Sequence, residues 1–265
     1  MFDLSSIESA LAGTVFADKL HYAASTGSTN DDTKSAARNG APHGSVFFAD
    51  EQTAGRGRGD HAWQSAAGEG LYVSVLLRLP IALSRLTLLP LTAGLAAGDA
   101  IREAAGLTVD LRWPNDLLIG PRKVGGILVE SHTEAGALAY VVIGVGINVH
   151  QRGFAPGLAT PATALDAEAG RWIDRQVLLI ALLRSLESEC SALVIDGIED
   201  DQATEAIRVR AEAASTWMRW RSVEVHGPQA CSGVTDGLNE YGFLRVRTAS
   251  GLVTVQTGGL REALS

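Results

Sequence analysis

The stretch LRWPNDLLIGPRKVGGILVE, residues 111–130, sets an apolar strand against a proline, an amide–acid pair and then a lysine that opens a glycine-interrupted strand. Pro114 biases Trp113 away from the helical region, so the first strand should end there and expose Asn115 and Asp116 at its tip. NDLLIGPRK reads as a polar turn, and Lys123 begins the next strand; a hairpin-like path would then bring Asp116 and Lys123 to one end of a sheet. The competing reading is a turn whose polar residues only satisfy backbone groups, as Asn-Asp pairs often do. Gly125 and Gly126 are harder to account for that way. Glycine inside an apolar strand weakens it and marks a place where a ligand or another backbone comes close.

Working outward, GSVFFAD (44–50), GLYVSVLLRLP (70–80) and LAYVVIGVGINV (138–149) read as further buried strands, the second closed by Pro80. SRLTLLPLTAGLAAGDAIREAAG (84–106) carries the helical apolar period, with Pro90 near its first turn and Gly106 as its stop. After a short leader, TGSTNDDTKSAARNG (26–40) reads as a turn and a helix, with Ser28, Thr29 and Asn30 supplying cap-type side chains. Residues 150–171 are rich in Pro, Ala and Gly and read as a loop, followed by helical stretches at about 174–195 and 199–214. From Trp220 the pattern changes to short, glycine-punctuated β segments, which suggests a small barrel. A boundary near 217–220 divides the chain into 1–218 and 219–265. Pattern alone therefore gives mixed α and β structure.

The 265 residues, 46% of them hydrophobic, suffice for a full-sized core. A net charge of −8 argues against generic nucleic-acid binding, because such a surface repels phosphate unless a local patch intervenes. Cys190 and Cys231 are too few for a disulfide framework or a cysteine metal site and read as free thiols. The start lacks the pattern of a signal peptide, and no apolar run reaches membrane-spanning length, so a soluble, cytoplasmic protein is expected.

One loop runs against the acidic balance. GRGRG (55–59) combines backbone freedom with the donor forks of Arg56 and Arg58, which suit phosphate or carboxylate. It matches neither a Walker loop nor G-x-G-x-x-G. Anion binding, nucleic-acid contact and a solvated turn all remain open on this loop alone. GVGINV (144–149) likewise lacks a third glycine and opens no helix, and Asn148 is either a turn residue or a ligand contact.

Taken together and in order, STN, QTAGRGR with a following tryptophan, RWPNDLL…RKVGGILVE and GVGINV resemble the biotin protein ligases. The motifs span roughly residues 25–150. The resemblance implies an α+β catalytic domain similar to class II aminoacyl-tRNA synthetases, with an antiparallel sheet and a small C-terminal SH3-like β-barrel. It implies synthesis of biotinyl-5′-AMP from biotin and ATP with Mg²⁺, then transfer of biotin to a lysine of a biotin carboxyl carrier domain of an acyl-CoA carboxylase. Residue by residue, it implies that Ser28, Thr29, Asn30, Gln52, Arg56, Gly57, Arg58, Lys123 and Gly126 bind biotin. Arg56, Arg58, Trp63, Asn115, Asp116, Lys123 and Asn148 would serve ATP, with Lys123, Arg58 and Asp116 catalytic.

These residue types suit that chemistry. The biotin carboxylate must approach the α-phosphate, and two like charges 4 Å apart repel by about 4 kcal/mol at an effective dielectric near 20. Cations that hold both groups in line lower that barrier. Asp116 would orient Lys123 or the nucleotide, with base action on the carrier lysine the lesser reading. The loop departs from the family at GDHAW, where His61 stands in place of an expected arginine. A histidine of ordinary pKa, about 6.5, is mostly neutral at pH 7, so a leakier adenylate is expected. Only about 25 residues precede STN, so the DNA-binding domain carried by some family members is not expected, nor is DNA or a membrane as partner. The rivals are a lipoate–protein ligase or octanoyltransferase, and a non-catalytic binding module.

Overall fold

The computed structural model describes residues 2–59, 61–194 and 201–263. Asp60 of the GDHAW segment and positions 195, 199 and 200 of the expected helices lie outside the described residues, as do 1, 264 and 265. Seven strands form the first sheet: β1 (Leu20–Ala23), β2 (Val46–Ala49), β3 (Gly70–Leu77), β4 (Asp110–Arg112), β5 (Asp116–Ile119), β6 (Arg122–Glu134) and β7 (Ala137–Asn148). Their order is β1-β2-β3-β7-β6-β5-β4. All pairings are antiparallel except β1 with β2. That pair is parallel because a helix, α2 (Thr29–Arg38), crosses over between the two strands.

The expected turn at NDLLIGPRK is instead mostly strand. Leu117 and Leu118 are buried and pair in β5, which confines the reversal to the Gly120–Pro121 step. Asn115 and Asp116 are correspondingly drawn in rather than exposed at a tip. The expected helix at 84–106 splits into a 3₁₀ turn, Leu83–Leu88, and α3 (Leu89–Ala105), with Pro90 in the first helical turn, where its missing N–H costs nothing. The leader is structured too: Asp3 caps α1 (Leu4–Ala10), whose Ile7 is buried. Within the expected loop 150–171 lies a short helix, α4 (Leu165–Ala169).

Strand alternation sorts the sheet into two faces. Val73, Val75, Ile127, Val141, Ile143, Val145 and Ile147 are buried in the core on the side of α3 and α5 (Arg175–Ser191). Each fully buried aliphatic side chain of this kind contributes about 1.5–3 kcal/mol, so this face carries the stability. The other face is covered only at one end, where α2 packs Ala37 over Leu76, Tyr140 and Val142. Its remaining part is lowered by glycines on β6 and β7 between bulkier neighbours. Register aligns Arg112, Asp116, Gly126, Gly146 and Tyr72 in one row across β4, β5, β6, β7 and β3. The next row holds Leu128, Gly144 and Ser74.

After α6 (Asp201–Ala213) come β8 (Arg219–His226), β9 (Cys231–Leu238), β10 (Leu244–Thr248), β11 (Gly251–Val255) and β12 (Gly259–Glu262). They form a five-stranded antiparallel sheet in the order β11-β10-β9-β8-β12. This sheet docks on the first. The Trp113 indole N–H donates to the Gly242 carbonyl at 3.1 Å, and the Leu111 N–H to Ala214 at 2.9 Å. Among the described residues, no helix is long and apolar enough to cross a membrane.

Candidate active site

The bare face of the first sheet is the floor of a cleft of about 1090 Å³. The N-terminal turn of α2 and the 51–66 loop wall one side, residues 151–162 another. The hairpin ends of the second sheet, around Gly227 and Gly258, close the far wall.

One end is polar and neutral. Ser28 sits at the N-cap position of α2, but its hydroxyl makes no capping bond, so the expected cap role is not what this side chain does. The Thr29 N–H and hydroxyl both reach Gln52 Oε1, at 2.9 and 3.1 Å, and Gln52 Nε2 donates to Ser65 Oγ at 2.9 Å. Asn30 Oδ1 accepts from Ser74 at 2.5 Å, and its amide donates to Glu130 at 2.9 Å. Gly144 makes this possible: a Cβ there would stand 2.1 Å from Asn30 Oδ1. Ser28, Thr29, Asn30 and Gln52 are thus brought together at one end of the cleft, and the network that fixes Thr29, Asn30 and Gln52 includes Ser65, Ser74 and Glu130. Sequence reasoning missed those three. Glu130 closes the GGILVE motif and was in view, whereas Ser65 and Ser74 carry no signal beyond being polar among apolar neighbours.

The other end is charged. Lys123 Nζ lies 2.5 Å from Asp116 Oδ1, so the strand hairpin does bring the two together. Asp116 Oδ2 in turn accepts from Arg112 Nη2 at 2.6 Å and Nε at 3.2 Å. Burial alone would raise the Asp116 carboxyl, but the charges of Lys123 and Arg112 and their hydrogen bonds outweigh it and hold the group below its ordinary value. Arg112 was not anticipated, although it stands immediately before the WPND motif. A strand reversal as tight as β4–β5 places residues four apart opposite one another.

The GRGRG loop does not present two free cations. Arg56 Nη2 is held between Asp31, at 2.8 Å, and Glu130, at 2.7 Å, and Glu130 also binds Lys34 at 2.8 Å. Lys34 and Arg56 outweigh the cost of burial and keep the Glu130 carboxyl below its usual value. Arg58 points the other way and donates to the Gly258 carbonyl of the second sheet; burial pushes its guanidinium down, with the Asp116 charge opposing. The Gly57 N–H binds the His61 carbonyl at 2.6 Å, closing the loop on itself. Arg56 and Arg58 both line the cleft, but their guanidinium groups diverge.

Trp63 lies on the glycine floor rather than at the mouth. A Cβ on Gly146 would meet its indole nitrogen at 2.6 Å, and Gly126 faces both its ring and the Lys123 ammonium at 3.4 Å. Lys123 Nζ sits 5.4 Å from the ring centroid, within cation–π range. Among the described residues the buried indole N–H has no acceptor, an unusual arrangement for a buried donor. Asn115 lines the cleft, but its amide is committed to the Ile127 carbonyl at 2.7 Å. The Asn148 amide donates to Thr163 at 3.0 Å, leaving its carbonyl oxygen as the group able to face a ligand.

The chain has relatives among known proteins. Residues 22–148 match the model of the biotin/lipoate A/B protein ligase family. The chain is similar to a bifunctional ligase/repressor of Bacillus subtilis, 40% identical over 185 residues, or 69% of this chain and 57% of the relative. It therefore spans little more than half of that relative's length. A biotin–[acetyl-CoA-carboxylase] ligase of Mycobacterium tuberculosis is 33% identical over 91% of this chain and 87% of its own. Among solved structures, a biotin protein ligase from Aquifex aeolicus in complex with biotin and ATP superposes with a TM-score of 0.79 and 27% identity, covering 93% of this chain and all of that one.

Proposed function

The chain belongs to the biotin/lipoate A/B protein ligase family, and from that premise we propose that it is an ATP-dependent biotin–protein ligase. One observation carries the reading: a neutral hydrogen-bonding end and a cationic end share a single cleft, separated by a floor of glycines. A ureido ring needs fixed, uncharged donors and acceptors. Ser28, Thr29, Asn30 and Gln52 supply them, and bonds among Thr29, Gln52, Ser74 and Asn30 hold Thr29, Asn30 and Gln52 in place before the ligand arrives. The valeryl chain would run alongside the Trp63 ring, which rests on Gly146 and Gly126, to bring its carboxylate to Lys123.

There the carboxylate oxygen attacks the α-phosphorus of ATP, the bond to the bridging oxygen breaks, and pyrophosphate leaves. Lys123 would neutralise both anions and donate hydrogen bonds to the oxygens that gain charge. Arg58 and Arg56 would serve the phosphates and the adenylate, Asn115 and Asn148 the nucleotide, with Gly57 giving the backbone room to approach. Magnesium enters as part of the nucleotide substrate; Asn148 Oδ1 is the uncharged oxygen suited to a hard cation that keeps most of its shell from phosphate and water.

In the second step the carrier lysine amine attacks the biotinyl carbonyl and AMP leaves. Asp116, ionised between two cations, is a weak base, so its role in this proposal is to orient Lys123 rather than to take the amine proton. The acceptor would be a biotin carboxyl carrier domain of an acyl-CoA carboxylase in the cytoplasm, with residues 1–218 catalytic and 219–265 a separate SH3-like module. The decisive assay is ATP–pyrophosphate exchange. Exchange that requires biotin, and is not supported by lipoate, is expected; exchange with lipoate alone would move the assignment to a lipoate ligase, and none with either would end it.

A further inference from the structure

The charged end of the cleft is built from three strands, each contributing one residue: Arg112 from β4, Asp116 from β5 and Lys123 from β6. Arg112 is only 8% exposed, and its side-chain hydrogen bonds go to the charged end and the wall of the cleft rather than to the neutral end. Its donors are spent in two directions. Nε and Nη2 both grip Asp116 Oδ2, and Nη2 also donates to Thr160 on the 151–162 wall at 2.8 Å. Its guanidinium carbon lies 5.2 Å from the centroid of Trp217, whose ring also meets Arg221 at 4.4 Å. Arg112 is thus fixed from the floor, the wall and the junction with the second sheet at once.

That arrangement divides one carboxylate between two cations. Oδ2 belongs to Arg112 and Oδ1 to Lys123. Were Arg112 absent, Asp116 and Lys123 would remain as an isolated pair of zero net charge, with both carboxylate oxygens free to engage the lysine. With Arg112 present, the triad keeps a surplus positive charge, and Lys123 is the member half open to the cleft. We infer that Arg112 is a positioning residue for adenylate formation: it pins Asp116 so that the Lys123 ammonium is aimed, and still charged, toward the reacting carboxylate and phosphate. This rests on the ligase reading. Among the described residues, the charged groups facing Asp116 are Arg112, Lys123 and, from the loop, Arg58; the side toward α3 is apolar, with Pro90, Leu91 and Gly94.

The test compares wild type, Arg112→Met, Arg112→Lys, Asp116→Asn and the Arg112→Met/Asp116→Asn double variant in biotin-dependent ATP–pyrophosphate exchange across pH. Arg112→Met should lower kcat about 30-fold while leaving the KM for biotin within about threefold, since a charged hydrogen bond is lost and the neutral end is untouched. Its acidic limb should move to higher pH as Asp116 regains an ordinary affinity for protons. Arg112→Lys, which keeps the charge and loses the fork, should recover most of the rate and the wild-type limb. In the Asp116→Asn background, Arg112→Met should cost nothing further. Multiplicative losses in the double variant, or an unmoved acidic limb, would overturn the inference and leave Arg112 a structural residue. Carbon-13 titration of the Asp116 carboxyl, assigned with Asp116→Asn, reads the same linkage without turnover. The midpoint should rise in Arg112→Met and hold in Arg112→Lys; an unchanged midpoint in Arg112→Met marks failure of this inference, whereas inactive wild type would mark failure of the ligase reading. For Arg112→Lys alone, a raised midpoint refutes the charge argument.

Discussion

Gly144→Ala is the sharpest test of how the neutral end is built. Gly144 lies in extended backbone in the middle of β7, so alanine meets no conformational penalty there and the effect is purely one of space. The new Cβ would stand 2.1 Å from Asn30 Oδ1 and 2.9 Å from its Cγ, where ordinary contact begins at 3.4 Å. Strand β7 is held on both sides, by β3 and β6, so Asn30 must yield by roughly 1.3 Å. Such a shift breaks its bonds to Ser74 and Glu130. Overpacking and the unpairing of buried groups each cost about 1–3 kcal/mol, and taking about 1.5 kcal/mol for each, since Asn30 can relax, gives about 3 kcal/mol. For a domain of this size that lowers Tm by about 6–12 °C. Displacing Asn30 also disturbs Thr29 through Ser74, and biotin affinity should fall about 100-fold by calorimetric titration. Gly98→Ala is the control: it sits in α3 with open space around it and should gain up to about 1 kcal/mol. A Gly144→Ala protein that binds biotin as wild type does and melts within about 2 °C of it would refute the steric argument.

Other consequences are open to direct measurement. Asp116→Asn should slow adenylate formation about 100-fold and transfer from pre-formed biotinyl-AMP far less, since the lost group orients Lys123; a transfer defect of equal size would restore a base role. His61→Arg should slow release of biotinyl-AMP from the enzyme, and equal release rates in the two proteins would remove His61 as the cause of a leaky loop. Asp116 and Glu130 both titrate below their ordinary values of 3.8 and 4.5 in the folded protein, so the unfolded chain takes up their protons first as pH falls. Their stabilisation is therefore complete above about pH 5 and lost downward through the folded values. Urea unfolding from pH 6 to pH 2.5 should show that loss, with a shallower slope in Glu130→Gln.

Much of this fold was legible because its strands are governed by burial. GLYVSVLLRLP is nearly continuous apolar sequence, and β3 is buried along its whole length with strands on both sides. What misled was polarity at a local scale. NDLLIGPRK has turn residues at both ends, but Leu117 and Leu118 enter the core, and tertiary burial overrides the turn propensity around them. The leader was unreadable for the opposite reason: α1 is too short to show a period, and Asp3 and Ile7 acquire their roles only through capping and packing.

The site divides the same way. Glycines in strands were a correct signal of close approach, but the sequence does not say what approaches. Gly144 admits the Asn30 amide and Gly146 the Trp63 indole, so these glycines shape the protein's own side chains before any ligand is considered. Charge was the least transferable signal. GRGRG reads as two cations for one anion, whereas Asp31 and Glu130 hold Arg56, the Gly258 carbonyl holds Arg58, and the cation aimed into the glycine floor is Lys123. A side chain's type fixes what it can bind; which partner it has already found decides what it is free to do. Releasing Arg56 from Glu130, or Arg58 from Gly258, costs a charged hydrogen bond each time, about 1.5–3 kcal/mol, and an anion that recruits both must repay that from its own contacts. A doubly charged phosphate group can do so, whereas a single carboxylate engaging Lys123 need not disturb either arginine. On the proposed ligase reading, Lys123 is therefore the cation that would meet biotin first, and the arginine loop would respond to the nucleotide.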